Sequence, residues 1–272
     1  MTVESIGTGP GILFVHGGGI TTAPYRRFAH RLAATFTVHL YNRRGRADAA
    51  PHGAGHTVDT DIADLAAVQH HTGARYVAAH SHGCFVTLRA ARQLAFDRIA
   101  LYDPTVNLGG FFPTDWFAEF EAAVRAGHRS RALALMGRGV RAGGPLSALP
   151  LSLQTAVAHA FQWTPVGRTM GELLPTVVIE CRESLTHDEP AAAYAGITAE
   201  VLLVTGGWCP PYYRTINNDL AAALPRAASI VVPGSRHDAI AIARPALCAP
   251  FAEFFADGLS SPRRTRSLPG PA

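Results

Sequence analysis

Val77-Ala-Ala-His-Ser81-His-Gly-Cys-Phe-Val-Thr-Leu88 sets a serine between a strand-like run and a helix-like run. Ala79 lies two residues before Ser81, and Gly83 two after. A sharp strand-to-helix turn needs small residues at both flanks so that the two elements can approach. It holds the serine in a strained conformation with its Oγ exposed at the helix start. Ala79 stands where glycine is usual, one methyl group more. A serine that merely caps a helix N-terminus has the same local pattern, so the segments around it must decide.

Working outward, short Val-, Ile- and Leu-rich runs alternate with amphipathic ones, the rhythm of a mostly parallel sheet flanked by helices. Expected strands are Gly11 to Val15, Thr37 to Tyr41, Arg75 to Ala79, Arg98 to Tyr102, Val201 to Thr205 and Ser229 to Val232. Expected helices lie near Pro24 to Ala34, Val58 to His71, Gly83 to Leu94, Tyr212 to Leu224 and Pro245 to Asp257. From Thr105 to Ile197 the rhythm breaks into helical apolar spacing without a strand pair. The reading is an α/β core over 1–104 and 198–258 with a helical cap insertion over 105–197. Phe111, Phe112, Trp116, Phe117, Phe161 and Trp163 in the insertion either line a pocket lid or form plain core. The Pro-, Ser- and Arg-rich stretch 259–272 reads as a disordered tail. No internal repeat is present.

Composition excludes several chemistries. All 24 basic residues are arginine, and without lysine there is no Schiff base to a pyridoxal cofactor, no phosphate-loop lysine and no kinase lysine. No run approaches the roughly 18 apolar residues that span a bilayer, and the N-terminus lacks the pattern of a secretory signal. A cytoplasmic protein without a membrane partner is expected. Its Ala, Arg, Gly and Pro bias suggests GC-rich, bacterial coding. The four cysteines, Cys84, Cys181, Cys209 and Cys248, are scattered, as reduced thiols are, and suggest no metal. Net charge is +4, and Arg43-Arg44-x-Arg46 and Arg263-Arg264-x-Arg266 read as solvated surface, so no nucleic-acid partner is expected. Oligomeric state is open.

Two further segments bear on Ser81. Ile12-Leu-Phe-Val-His16-Gly-Gly-Gly19 ends a buried strand in a glycine turn. Such a turn presents backbone N–H groups to a developing oxyanion, whereas a phosphate loop needs a glycine spacing that Ile20-Thr21-Thr22 does not complete. Near the other end, Ile230-Val-Val-Pro-Gly-Ser-Arg-His237-Asp-Ala239 places a histidine after the last strand. Serine first and histidine last is the order of an α/β-hydrolase.

With H-G-G-G, A-H-S-H-G, T-G-G-W-C-P-P and P-G-S-R-H-D-A on the page, the chain resembles the α/β-hydrolase superfamily from about Gly11 to Ala256. It is most similar to the bacterial serine-nucleophile branch, Tyr41-Asn-Arg-Arg-Gly-Arg-Ala-Asp48 standing where a D-R-R-G-R-G-D-S-like turn is usual. The resemblance implies that Ser81 attacks a carbonyl, that His237 acts as base then acid, and that the backbone N–H groups of Gly18 and His82 form the oxyanion hole. The family's acid usually follows the next-to-last strand. Here that loop, Gly206-Gly-Trp208-Cys209-Pro-Pro211, holds no carboxylate, and Asp219 lies inside a helix. Asp103, at the end of the strand after the elbow helix, is the expected acid; a dyad without one and a turn role for Asp103 are the alternatives. Trp208, Trp116 and Phe112 are the expected substrate contacts. His80 and His82 form half of a dinuclear motif, but Cys84, Phe85 and Val86 replace its other half, so no metal and no cofactor are expected. Cys84 and Cys209 read as inert thiols.

The function expected is hydrolysis of an ester, lactone or thioester of a small, largely apolar molecule through an acyl-enzyme. A cofactor-free lyase, cyclase or acyltransferase, or a ligand-binding relative without turnover, are the alternatives. Both draw on the missing acid.

Overall fold

In the computed structural model, residues 1–110, 112–140 and 148–257 are described. The strands are β1 (Val3–Gly7), β2 (Gly11–Val15), β3 (Thr37–Tyr41), β4 (Tyr76–His80), β5 (Arg98–Tyr102), β6 (Glu200–Gly206) and β7 (Ala227–Val232). After its first residue, each of β2 to β6 is wholly buried, as strands covered on both faces must be. β7 alternates half-buried and buried residues, the pattern of a sheet edge.

The sheet order is β1-β3-β2-β4-β5-β6-β7, antiparallel only where β1 meets β3. Six expected strands are present, β4 one residue later than read. β1 escaped the sequence reading because Val-Glu-Ser-Ile-Gly lies on the exposed edge and buries no residue fully. After β3 the chain crosses to the far side of β2, so the order reverses between β2 and β4. Beyond the carboxyl ends of strands at such a switch point the connecting turns part and leave a crevice.

Alternation along the strands divides the core. Leu13, Val15, Val77, Leu101 and Leu203 face α2 (Val58–Thr72), α3 (His82–Ala90) and α9 (Pro211–Ala223). Phe14, Ala78, Ala100 and Val204 face α1 (Arg26–Leu32) and α11 (Pro245–Asp257), where Phe28 meets Phe251 edge-on. A short α10 (Ala239–Ile242) precedes α11. Gly83, on the first turn of α3, lies so close to β2 that a Cβ would stand 2.2 Å from the carbonyl oxygen of Val15. Only glycine lets that helix reach the sheet.

Between β5 and β6 come α4 (Phe117–Arg125), α5 (Arg129–Gly139), α6 (Leu151–Phe161), α7 (Pro165–Glu172) and α8 (Leu174–Thr186), with no strand among the described residues. They share a separate apolar cluster that includes Phe112, Trp116, Phe120, Leu133 and Val177. Phe111, the end of the core at 258 and the expected tail 259–272 lie outside the described residues. No helix of those described is long and apolar enough to cross a membrane.

Ion pairs tie α8 to the core. Glu180 Oε1 accepts from Nη2 of Arg43 and of Arg46 at 2.6 Å each, and Arg43 Nη2 lies 3.4 Å from Asp61 Oδ2. All four side chains are at most 3% exposed. The reading of Arg43-Arg44-x-Arg46 as solvated surface is thereby corrected. Only Arg44 stays near the surface, on Asp64; the partner that buries Arg43 and Arg46 is 137 and 134 residues away, beyond any local reading. Burial pushes the Glu180 carboxyl up, but Arg43 and Arg46 outweigh it and bring it down to about 2.

Two outcomes follow. Gly83→Ala lowers stability by about 1 to 3 kcal/mol through overpacking, read from chemical denaturation. A carboxyl held below its ordinary value stabilises the fold fully above that value and loses the contribution as pH falls through about 4 towards 2. Glu180→Gln is therefore less stable than wild type at pH 7. Between pH 6 and 3 it loses about 1 to 2 kcal/mol less than wild type does.

Candidate active site

Ser81 joins β4 to α3 with φ 53° and ψ −124°, a conformation that L-residues keep only when their surroundings enforce it. Its N–H donates to the Tyr102 carbonyl at 3.0 Å, and its own carbonyl accepts from the Cys84 N–H at 2.9 Å. The side chain makes no cap hydrogen bond, which removes the capping alternative. Instead Oγ lies 3.0 Å from His237 Nε2 and 3.1 Å from Thr105 Oγ1.

Asp103 ends β5 with φ 46° and is fully buried. Oδ1 accepts from Thr205 Oγ1 at 2.5 Å and from the Gly206 N–H at 3.2 Å. Oδ2 lies 3.0 Å from His237 Nδ1 and accepts from Cys209 Sγ at 3.0 Å. Burial pushes this carboxyl up, and the bonds from His237, Cys209 and Thr205 outweigh burial and hold it below the ordinary range. An ionised carboxylate only accepts, so Nδ1 of His237 donates to Asp103, and in the neutral ring Nε2 is left as the acceptor. Ser81 then donates to Nε2, and Thr105 donates to Ser81. Every hydrogen in the chain has one direction.

The loop that carries His237 is pinned through its backbone. Tyr102 Oη donates to the Arg236 carbonyl at 2.6 Å, and His80 Nε2 donates to the His237 carbonyl at 2.8 Å. Burial, then His237, lower His80 to about 3, so it is neutral and its Nδ1 accepts from Tyr25 Oη at 2.8 Å. The Gly17 N–H donates to that same oxygen at 3.4 Å. One relay of polar groups thus joins the glycine turn after β2, the residue before Ser81, and the histidine loop. His237 also stacks on Tyr213, with centroids 5.2 Å apart.

His82 turns away from His80. Its Nδ1 lies 3.0 Å from Ser184 Oγ on α8, and burial, then Arg43, bring it down to about 4. The two rings of the H-x-H pair serve different protein partners. As the first residue of α3, His82 has a backbone N–H without an intrahelical acceptor, and it shares a cavity wall with Ser81 and Gly18.

That cavity has a volume of about 540 Å³. Phe112, Trp116, Leu133, Val157, Phe161 and Met170 supply much of its wall, so the segment between β5 and β6 forms most of the surface opposite Ser81. Trp208, expected to contact substrate, does not line it. Its backbone N–H donates to the Ser235 carbonyl, the residue is 66% exposed, and Arg236 lies over its ring at 5.5 Å.

Thr105, Tyr25, His80, Thr205 and Cys209 were not singled out by sequence reasoning as parts of this network. The signal for Cys209 was available: a polar side chain in the loop that usually holds the acid. Burial, then Asp103, raise the thiols of Cys84 and Cys209 far above neutrality, so both stay protonated.

Comparisons with known proteins agree with this architecture. A structure described as an alpha/beta hydrolase from Sphaerobacter thermophilus is 26% identical with TM-score 0.75, covering 94% of this chain and 96% of that one. An enol-lactonase from Burkholderia xenovorans is 18% identical with TM-score 0.68, covering 94% and 96%. A thermophilic esterase from Thermogutta terrifontis is 18% identical with TM-score 0.66, covering 93% and 92%. The search of curated proteins found no match. The family model described as "Alpha/beta hydrolase family" matches residues 12–251, and the chain belongs to that family.

Proposed function

We propose that the chain is a serine hydrolase acting on an ester, lactone or thioester of a small, largely apolar molecule. The observation that carries the reading is the directed relay from Ser81 Oγ through His237 to Asp103, with both heavy-atom separations at 3.0 Å. General-base catalysis needs this reach.

In this reading Ser81 Oγ attacks the carbonyl carbon while its proton passes to His237 Nε2. Asp103 holds the ring orientation and stabilises the imidazolium. The carbonyl oxygen takes up negative charge against the N–H groups of Gly18 and His82. Collapse of the tetrahedral species breaks the bond to the leaving oxygen or sulfur, which takes the proton from His237. Water then gives a proton to Nε2 and attacks the acyl carbon, the acid departs, and Ser81 recovers its hydrogen. Helices α4 to α8 act as a cap, with Phe112 and Trp116 against the substrate. The apolar wall suits a small apolar acyl or alkyl group.

The non-hydrolytic and non-catalytic alternatives drew on a missing acid. In this reading Asp103, hydrogen-bonded to His237, is that acid, which supports hydrolysis over both. The esterase and enol-lactonase neighbours point to the same bond class.

Wild type should hydrolyse 4-nitrophenyl butyrate, and in ¹⁸O-water the released acid should carry one ¹⁸O. Ser81→Ala should abolish turnover without altering the circular dichroism spectrum. Asp103→Asn should lower kcat by about 10³ to 10⁴, as a mis-set histidine tautomer does, while KM changes little. Trp208→Ala should leave both constants within about twofold, since surface changes away from a site have small effects. Absence of ¹⁸O in the product, or full activity of Ser81→Ala, contradicts the reading.

A further inference from the structure

Six of the nine exposed large hydrophobic residues among those described fall within 149–166, on and around α6. Leu149, Leu153, Val157 and Phe161 recur every fourth residue and are 37%, 52%, 45% and 38% exposed. Leu153, Val157 and Phe161, so spaced within α6, share one helix face, and Leu149 lies two residues before the helix. Trp163 and Val166 extend the patch at 74% and 42%. Single exposed apolar residues are ordinary, but a contiguous patch marks a contact surface.

Charge says what the contact is. From 122 to 171 the sequence contains no Asp or Glu and six arginines. Arg125, Arg129, Arg131, Arg138 and Arg168 of that span are exposed. Arg131 is paired with Glu119, just outside it. Arg129, Arg131, His128 and His159 border one shallow depression with Trp163, so cations flank the apolar patch directly. A second copy docked through a two-fold axis sets like patch against like, here arginine against arginine. The Arg263-Arg264-x-Arg266 segment carries the same sign and is no better suited. An anionic amphiphilic surface fits both components: lipid tails and glycerol backbone for the stripe, phosphates for the guanidiniums, and an indole at the boundary.

We propose that the α6 face is a docking surface for an anionic phospholipid bilayer, against which it lies without spanning it. The expectation of no membrane partner rests on the lack of a spanning segment, which does not bear on such a contact. Val157 and Phe161 also line the cavity that holds Ser81, so the docked face is the rim of that cavity. The proposal concerns binding and does not depend on the reaction.

The test is co-sedimentation of the full chain with vesicles of phosphatidylglycerol or of phosphatidylcholine, alongside gel filtration. The expected result is binding at least about tenfold tighter to phosphatidylglycerol, weakened by salt because exposed charges are screened. Leu153→Asp and Arg129→Glu/Arg168→Glu each reduce it by about tenfold while their thermal melting stays that of wild type. These side chains are exposed and outside the cavity wall. Equal or absent binding to the two vesicles overturns the proposal. So does a dimer that Leu153→Asp dissolves, which assigns the face to a second copy.

Discussion

Asp103 has to be charged inside the protein for the rest of the site to have a direction. A buried carboxylate is stable only when its lone pairs are filled, and four donors fill these: His237, Thr205, Gly206 and Cys209. Three of the four come from β6 and the loop after it, so the strand beside β5 pre-forms the anion's seat. The imidazole then has one tautomer, and the hydroxyl of Ser81 has one place to send its proton. A histidine on a loop is otherwise free to turn. Here Tyr102 and His80, rooted at the ends of β5 and β4, hold its main chain from below.

Much of this was legible in the sequence for a physical reason. Strands covered on both faces are short apolar runs, and those of β2 to β6 stood out. Ser81 was marked by the small residues its turn requires, and His237 by its place after the last strand. Asp103 was named from the resemblance, which allows the acid at the end of the strand after the elbow helix when the usual loop holds no carboxylate. Contacts between residues far apart in the chain were not legible. Nothing local to Arg43 and Arg46 announces Glu180, 137 and 134 residues away. Trp208 misled because residue type suggests a substrate contact, while the residue is exposed and its ring meets Arg236. The edge strand β1 was missed because it buries almost nothing.

The molecule divides its work between a core that sets the chemistry and a helical segment that sets the surroundings. The core carries the relay and the glycine turn, all beyond the carboxyl ends of β2, β4, β5 and β7. The helical segment brings the apolar wall and one carboxylate, Glu180, which enters the core between two arginines. Replacing a buried ion pair by apolar residues is often neutral or stabilising, whereas breaking one strands a charge. Such a cluster is therefore better at fixing one placement of α8 than at adding net stability. That placement matters, because α8 also carries Ser184, the partner of His82, in the wall of the cavity that holds Ser81.

The most direct measurement is reaction of the intact chain with a fluorophosphonate, followed by whole-protein and peptide mass spectrometry of wild type and His237→Ala. The account predicts a single adduct on Ser81 and a labelling rate that falls by about 10³ or more without the imidazole. An adduct elsewhere, no adduct, or equally fast labelling of Ser81 in His237→Ala would contradict it.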